Sequence, residues 1–270
     1  MPNAPLFDHR SGLDLSQFKH DDALQKFCSQ RFHAWIAGAQ GKAFTLTDPP
    51  AGEFAFDATL AAINLALRLE YKWDRYKPFN LAAELVAKDR GREPQLGYLF
   101  KQGYDWLVYT YVAKTPLMFV MDAQCVRKYV FQFWRERGFG ATHCQNGNRD
   151  RTAAWSLLVP VEAMHAFLKQ FGMSHRLELP VGIFDVKVPT TSLASLEAGR
   201  PEVVAMLEAL LVTRNPRAWK PSPEQWEGLV PYMLQRNALR TNFKPHQIHA
   251  SEFTQLDWPA MAQAQGLMLA

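Results

Sequence analysis

The stretch LALRLEYKWD, residues 65–74, alternates in character and decides the fold class. Leu65, Leu67 and Leu69 share one parity, and Ala66, Arg68, Glu70 and Lys72 share the other. Residues two apart on a strand project from the same face, so this is a half-buried β-strand. At its end Glu70, Lys72 and Asp74 line up on one face, with Tyr71 and Trp73 between them. Two acids and an amine so close together are costly neighbours unless something uses them.

Working outward, the segment from Asp21 carries Leu24, Phe27, Cys28, Phe32 and Trp35 at helical spacing, with Gly38 as a stop. AFTLTDPPAGEFAFD predicts two short strands, split at Asp48-Pro49-Pro50. FNLAAELVAK, the run up to YDWLVYTYV, PLMFVMD and AWSLLVPV read as further strands. AQCVRKYVFQFWRERG and EAMHAFLKQFG have helical periodicity. Helices mixed with strands in this order predict one α/β domain over residues 1–188, a mixed central sheet flanked by helices. Composition then shifts. SLEAGRPEVVAMLEALLVTRNP and SPEQWEGLVPYMLQRNALRT are both helical, the second opened by Ser222-Pro223-Glu224-Gln225. Residues 189–270 are therefore expected to form a helical appendage.

At 270 residues and 48% hydrophobic content the chain can build a large core, which excludes global disorder. A formal net charge of +4 is compatible with a polyanion partner without demanding one. Cys28, Cys125 and Cys144 are far apart and lack the spacing of a zinc site, which predicts reduced thiols and a cytoplasmic protein. The first residues carry acids and no apolar core, so no secretory signal is expected, and no apolar run is long enough to span a membrane.

The face bearing Glu70, Lys72 and Asp74 has the composition of a metal-dependent phosphodiesterase site. Carboxylates hold Mg²⁺ or Mn²⁺ through hard oxygen atoms. The cation polarises the phosphate and activates water, while a lysine orients that water and offsets developing charge. A second acid would come from a neighbouring strand, and Asp57 in EFAFDATL is the upstream candidate. The spacing alone is weak. With 26 acids in the chain, an acid followed two residues later by lysine is expected on the order of once by chance. Asp185-Val186-Lys187 repeats it, and a solvated edge strand with an ion pair would look the same.

The wider pattern is more specific. Glu70, Lys72 and Asp74 are followed by Asn80, Glu84, Gly97-Tyr98, Lys101, Asp105-Trp106 and Tyr109. In order and spacing this resembles a branch of the PD-(D/E)xK nuclease superfamily found in phages, plasmids and bacteria, over about residues 20–165. The resemblance implies a restriction-endonuclease-like fold with Asp57, Glu70 and Lys72 as the metal-and-water set. Glu84 is implied either as a further metal ligand or as an acid beside one. Asp57 departs from the family in following Phe56 rather than a proline-like turn, and the first helix offers only Asp21, Asp22, Gln25 and Gln30 where many members carry a glutamate.

Around this set Arg68, Arg75, Lys77, Lys88, Arg90 and Lys101 form a candidate nucleic-acid rim, with Tyr71, Trp73 and Tyr76 as stacking surfaces. A solvated, mixed-charge loop accounts for part of that rim equally well. The expectation is a Mg²⁺- or Mn²⁺-dependent deoxyribonuclease acting on DNA, of a kind carried by phages or mobile elements. Its rivals are a nucleic-acid-binding or structural protein that keeps the nuclease fold without turnover, and a metal-dependent ribonuclease. Oligomeric state is left open, a homodimer included.

Overall fold

The computed structural model describes residues 7–8, 13–14, 21–37, 44–53, 55–74, 80–89, 95–100, 103–113, 115–137, 143–146, 152–180, 183 and 200–212. The elements, in chain order, are β1 (Phe7–Asp8), β2 (Leu13–Asp14), α1 (Asp21–Ala37), β3 (Thr45–Thr47), β4 (Ala58–Ala62) and β5 (Leu65–Asp74). Then come β6 (Asn80–Asp89), β7 (Gln95–Leu96), a 3-10 turn (Tyr98–Phe100), β8 (Trp106–Tyr111), β9 (Leu117–Asp122) and α2 (Ala123–Arg137). The last are β10 (His143–Asn146), β11 (Thr152–Pro160), α3 (Val161–Lys169), β12 (Ser174–Glu178) and α4 (Arg200–Val212). Among the described residues no helix is long and apolar enough to cross a membrane.

The chain divides into two compact units, and each is discontinuous in sequence. The first is built on a six-stranded sheet in the order β12-β9-β8-β5-β4-β3. All its neighbours are antiparallel except β5 and β8, which run parallel from Leu69↔Trp106 to Asp74↔Tyr111. Helices α1 and α4 pack on this sheet. Leu67, Leu69 and Tyr71 of β5, with Trp106 and Val108 of β8, bury one face against Cys28, Phe32, Trp35 and Ile36 of α1 and Val203, Leu207 and Leu210 of α4. Each such fully buried apolar side chain contributes roughly 1.5–3 kcal/mol. Phe32 meets Tyr71 edge to face at 5.4 Å, which ties α1 to the middle of β5.

The second unit holds a four-stranded antiparallel sheet in the order β10-β11-β6-β7, together with α2 and α3. Gly97 lies so close to the Glu84 backbone carbonyl that a Cβ there would collide with it. That approach lets the Gly97 N–H donate to Leu85 O at 2.8 Å. Arg127, buried, donates from Nε to Leu99 O at 2.7 Å and holds the 3-10 turn.

The expected mixed sheet flanked by helices is therefore what the chain forms. Two local expectations differ. Residues 55–57 form no strand, and β4 begins at Ala58. SHRLE, a charged run that alternation did not flag, is the edge strand β12. Helix α4, which lies beyond residue 188, belongs to the first unit. The second C-terminal helical segment lies outside the described residues.

Candidate active site

Strand β5 lies between β8 and β4, so it is interior to its sheet and Lys72 is no edge-strand lysine. By alternation Arg68, Glu70, Lys72 and Asp74 occupy the face opposite Leu69 and Tyr71. Glu70 is 4% exposed, and Lys72 Nζ stands 2.6 Å from its Oε1. Removing both charges from bulk water is expensive, and each charge offsets part of that cost for the other. On the neighbouring strand Tyr109 is in register with Lys72, and its hydroxyl donates to Asp74 Oδ2 at 3.1 Å.

Asp57 meets the same strand from the other side. Its N–H donates to Leu69 O at 2.8 Å, and its Oδ2 accepts the Tyr71 N–H at 2.7 Å. These two bonds bracket Glu70. Pairing of β4 with β5 starts at Ala58↔Leu69, so Asp57 lies just outside the ladder. The Asp57 carboxylate thus supplies the acceptor that the missing strand residue would have offered.

Asp57 is exposed and lines a cleft of about 350 Å³ together with Tyr71, Asp48 and the α1 residues Lys26, Ser29, Gln30 and His33. Glu70 and Lys72 are not among the residues lining it. Burial first, and then the carboxylates of Asp57 and Asp48, push the Tyr71 hydroxyl above its ordinary ionisation range. Burial likewise raises the Cys28 thiol, with Arg31 pulling weakly the other way, so Cys28 is a packing residue and no nucleophile.

The remaining expected site residues fall as follows. Arg68 donates to Asp105 from Nε at 3.1 Å, from a terminal nitrogen at 3.2 Å and from its backbone N–H at 2.9 Å. That fork joins β5 to the residue preceding β8. Glu84 belongs to the second unit, where its Oε1 accepts the Tyr98 N–H at 3.3 Å. Lys88 is placed in β6 by its backbone. Arg75, Lys77, Arg90 and Lys101 lie outside the described residues, as do Asp185 and Lys187.

Among the described residues no group of three or more His, Cys, Asp or Glu side chains could hold a metal ion. Mg²⁺ is commonly held by one or two carboxylates while water and substrate phosphate complete its shell, and Asp57 is bonded to the backbone on either side of Glu70. Carboxylate oxygens accept more than one partner, so the ion pair with Lys72 does not exhaust Glu70. The donor chemistry of Asp57 and Glu70 therefore fits a hard divalent cation.

No family model and no curated protein matches the chain. Among solved structures it is similar to a bacterial homing endonuclease, I-Ssp6803I, at 10% identity and a TM-score of 0.33, over 72% of this chain and 97% of that one.

The cleft wall on α1 carries a signal in the sequence itself. Lys26, Ser29, Gln30 and His33 follow the spacing of one helical stripe, beside the apolar stripe of Cys28, Phe32, Trp35 and Ile36. The polar stripe reads as an ordinary solvated face until Asp48, Asp57 and Tyr71 are found across from it.

Proposed function

We propose that the chain is a divalent-metal-dependent nuclease that hydrolyses phosphodiester bonds of DNA, with Asp57 and Glu70 as the metal-holding acids and Lys72 as the residue that orients the attacking water. The observation that carries this proposal is the Glu70–Lys72 pair. It is an ion pair at 2.6 Å, largely removed from solvent, on an interior strand, with Asp57 bonded to the backbone on both sides of Glu70. A purely structural role would be served as well by apolar residues at no desolvation cost.

The roles follow from the chemistry of each group. Glu70 holds the Lys72 ammonium in place, so its donors are aimed before substrate arrives. Lys72 can donate to a phosphoryl oxygen and to water, and its charge offsets the charge that develops in the transition state. Asp57 is fixed by the Tyr71 N–H and turns a charged carboxylate toward the cleft. When bound, Mg²⁺ or Mn²⁺ would supply Lewis acidity and a more acidic water.

The test is incubation of the full chain with labelled circular and linear DNA, and with RNA, in Mg²⁺, Mn²⁺ or EDTA. Cleavage of DNA that needs the cation is expected. Asp57→Asn is the decisive variant, because asparagine keeps an oxygen for the Tyr71 N–H while losing the charge. It should stay folded and lose cleavage. Cleavage that ignores EDTA, or wild-type rates in Asp57→Asn and Glu70→Gln, would overturn the proposal. Binding of DNA without any turnover would favour the inactive, nucleic-acid-binding alternative, and cleavage of RNA alone would favour the ribonuclease.

A further inference from the structure

We infer that the polar stripe of α1 is the surface that holds one nucleic-acid strand by its sugar-phosphate backbone beside Asp57, with Lys26, Ser29, Gln30 and His33 as its donors. This rests on the proposed nuclease function and adds to it a binding surface that the basic residues around β5 did not suggest. The stripe faces the same cleft that Asp57 lines. It is held rigidly, because the neighbouring stripe of α1, with Phe32 and Trp35, is sunk in the core. Trp73 of β5 adds a pin by donating from Nε1 to Ser29 Oγ at 2.8 Å. That bond uses an acceptor lone pair of Ser29 and leaves its O–H to donate.

The donor set is the one that backbone recognition uses: an ammonium, a hydroxyl, an amide and an imidazole, none of which reads a base edge unless it reaches into a groove. His33 Nδ1 is buried and makes no hydrogen bond among the described residues. His33 Nε2 is 3.6 Å from Asp48 Oδ1, beyond good hydrogen-bond length. No bond at Nδ1 therefore fixes the tautomer, and Nε2–H can turn to a phosphate oxygen. Asp48 and Asp57 also line the cleft, so an isolated anion is disfavoured there. A strand whose phosphate is shared with a cation at Asp57 is not. At about 350 Å³ the cleft lies at the small end of ligand pockets, a size for one backbone unit.

The test measures binding separately from cleavage. Fluorescence anisotropy of a fluorescein-labelled single-stranded oligodeoxynucleotide is followed against salt, with Mg²⁺ present and Lys72→Ala as the parent, which keeps both acids and leaves the probe intact. Lys26→Ala should weaken binding several-fold and reduce the slope of log affinity against log salt by about 0.7, the value for one lost phosphate contact on a single strand. Gln30→Ala and His33→Ala should also weaken binding several-fold, and the triple variant should lose most of it. Lys169→Ala, an exposed lysine of the second unit, is the control and should match the parent. Circular dichroism verifies folding, and Lys26→Gln replaces Lys26→Ala if the latter unfolds. A triple variant that binds with parental affinity and slope overturns the inference, and if the wild-type chain still cleaves, the nuclease function stands without it. Loss of binding in the triple variant, with no cleavage by wild type under any metal, supports the inference and overturns the nuclease. A parent that binds no probe overturns both.

Discussion

Lys72 and Glu70 are bonded to each other on one face of an interior strand, nitrogen to oxygen at 2.6 Å. Both side chains are mostly buried, at 21% and 5% exposure, so each pays for the other's desolvation. Lys72→Ala is expected to lose cleavage by about 10²-fold or more, with DNA binding retained. It should also cost about 2 kcal/mol of stability, less than a fully buried pair would, because part of Lys72 reaches solvent. Lys72→Arg should not restore cleavage, since a planar guanidinium cannot replace a compact ammonium at this spacing. Initial rates and denaturant midpoints on the same preparations verify this. Wild-type rates in both variants would make the pair an ordinary structural one.

Arg68 is engaged three times by Asp105, twice from its guanidinium and once from its backbone. Asp105 is 7% exposed, so a substitution that breaks the fork leaves a buried carboxylate short of donors. Arg68→Lys keeps the charge and loses the second donor. It is expected to cost about 1–2 kcal/mol, and Asp105→Ala, which strands the arginine instead, a similar amount. A double-mutant cycle in urea gives the coupling. Full additivity of the two would show that the fork contributes nothing.

The contrast between Lys72 and Arg68 shows what could be read in the chain. Period-two alternation over residues 65–74 was enough to place β5 and to put Glu70 and Lys72 on one face. Arg68 shares that face, and its place among the basic residues around the site makes it a candidate for DNA. Its partner lies 37 residues away across the parallel β5–β8 pair, and no local signal joins the two. The same limit hid β12. It buries only Ser174 of its five residues and owes its existence to pairing with β9, from Ser174↔Met121 to Glu178↔Leu117. The two units were equally hidden, because each gathers segments far apart in sequence. Asp57 was found as a residue but misread as part of a strand. Its role as acceptor for the Tyr71 N–H depends on where β4 stops.

Gly103 packs against Ala55 in the loop that leads to Asp57. A Cβ there would collide with the Ala55 Cβ and lie 2.7 Å from the Ala55 carbonyl oxygen. Ala55 is two residues before Asp57, and Gly103 is two before Asp105, so this approach holds the loops of both acids together. Gly103→Ala is expected to destabilise by about 2 kcal/mol, the scale of overpacking. It should also lower cleavage more than it lowers the folded fraction, because Asp57 is displaced from Tyr71. Gly52, with φ of 87° and nothing within reach of a Cβ, is the comparison. Its substitution should cost about 1 kcal/mol through backbone strain and leave cleavage per folded molecule unchanged. Equal losses of specific activity at the two glycines would show that Gly103 acts only through stability.

His175, on β12 opposite Val120, is partly buried with its ring 6.3 Å from that of Trp106. Burial disfavours the imidazolium and lowers the pKa below the ordinary value. In the unfolded chain the group titrates near 6.5. Between that value and the lower folded one, the unfolded chain binds a proton that the folded chain refuses. Stability therefore rises with pH across this window and is lost as pH falls through it. Carboxylates titrate lower, below about pH 5, and the other histidines are common to both proteins, so the difference between wild type and His175→Gln over about pH 6.5 to 5 reports His175. Denaturant midpoints of the wild type should fall on going from neutral pH into that window, and the fall should be smaller in His175→Gln, which carries no titrating group. Parallel pH profiles for the two proteins would show that His175 titrates as it does in water and that its burial costs the cation nothing.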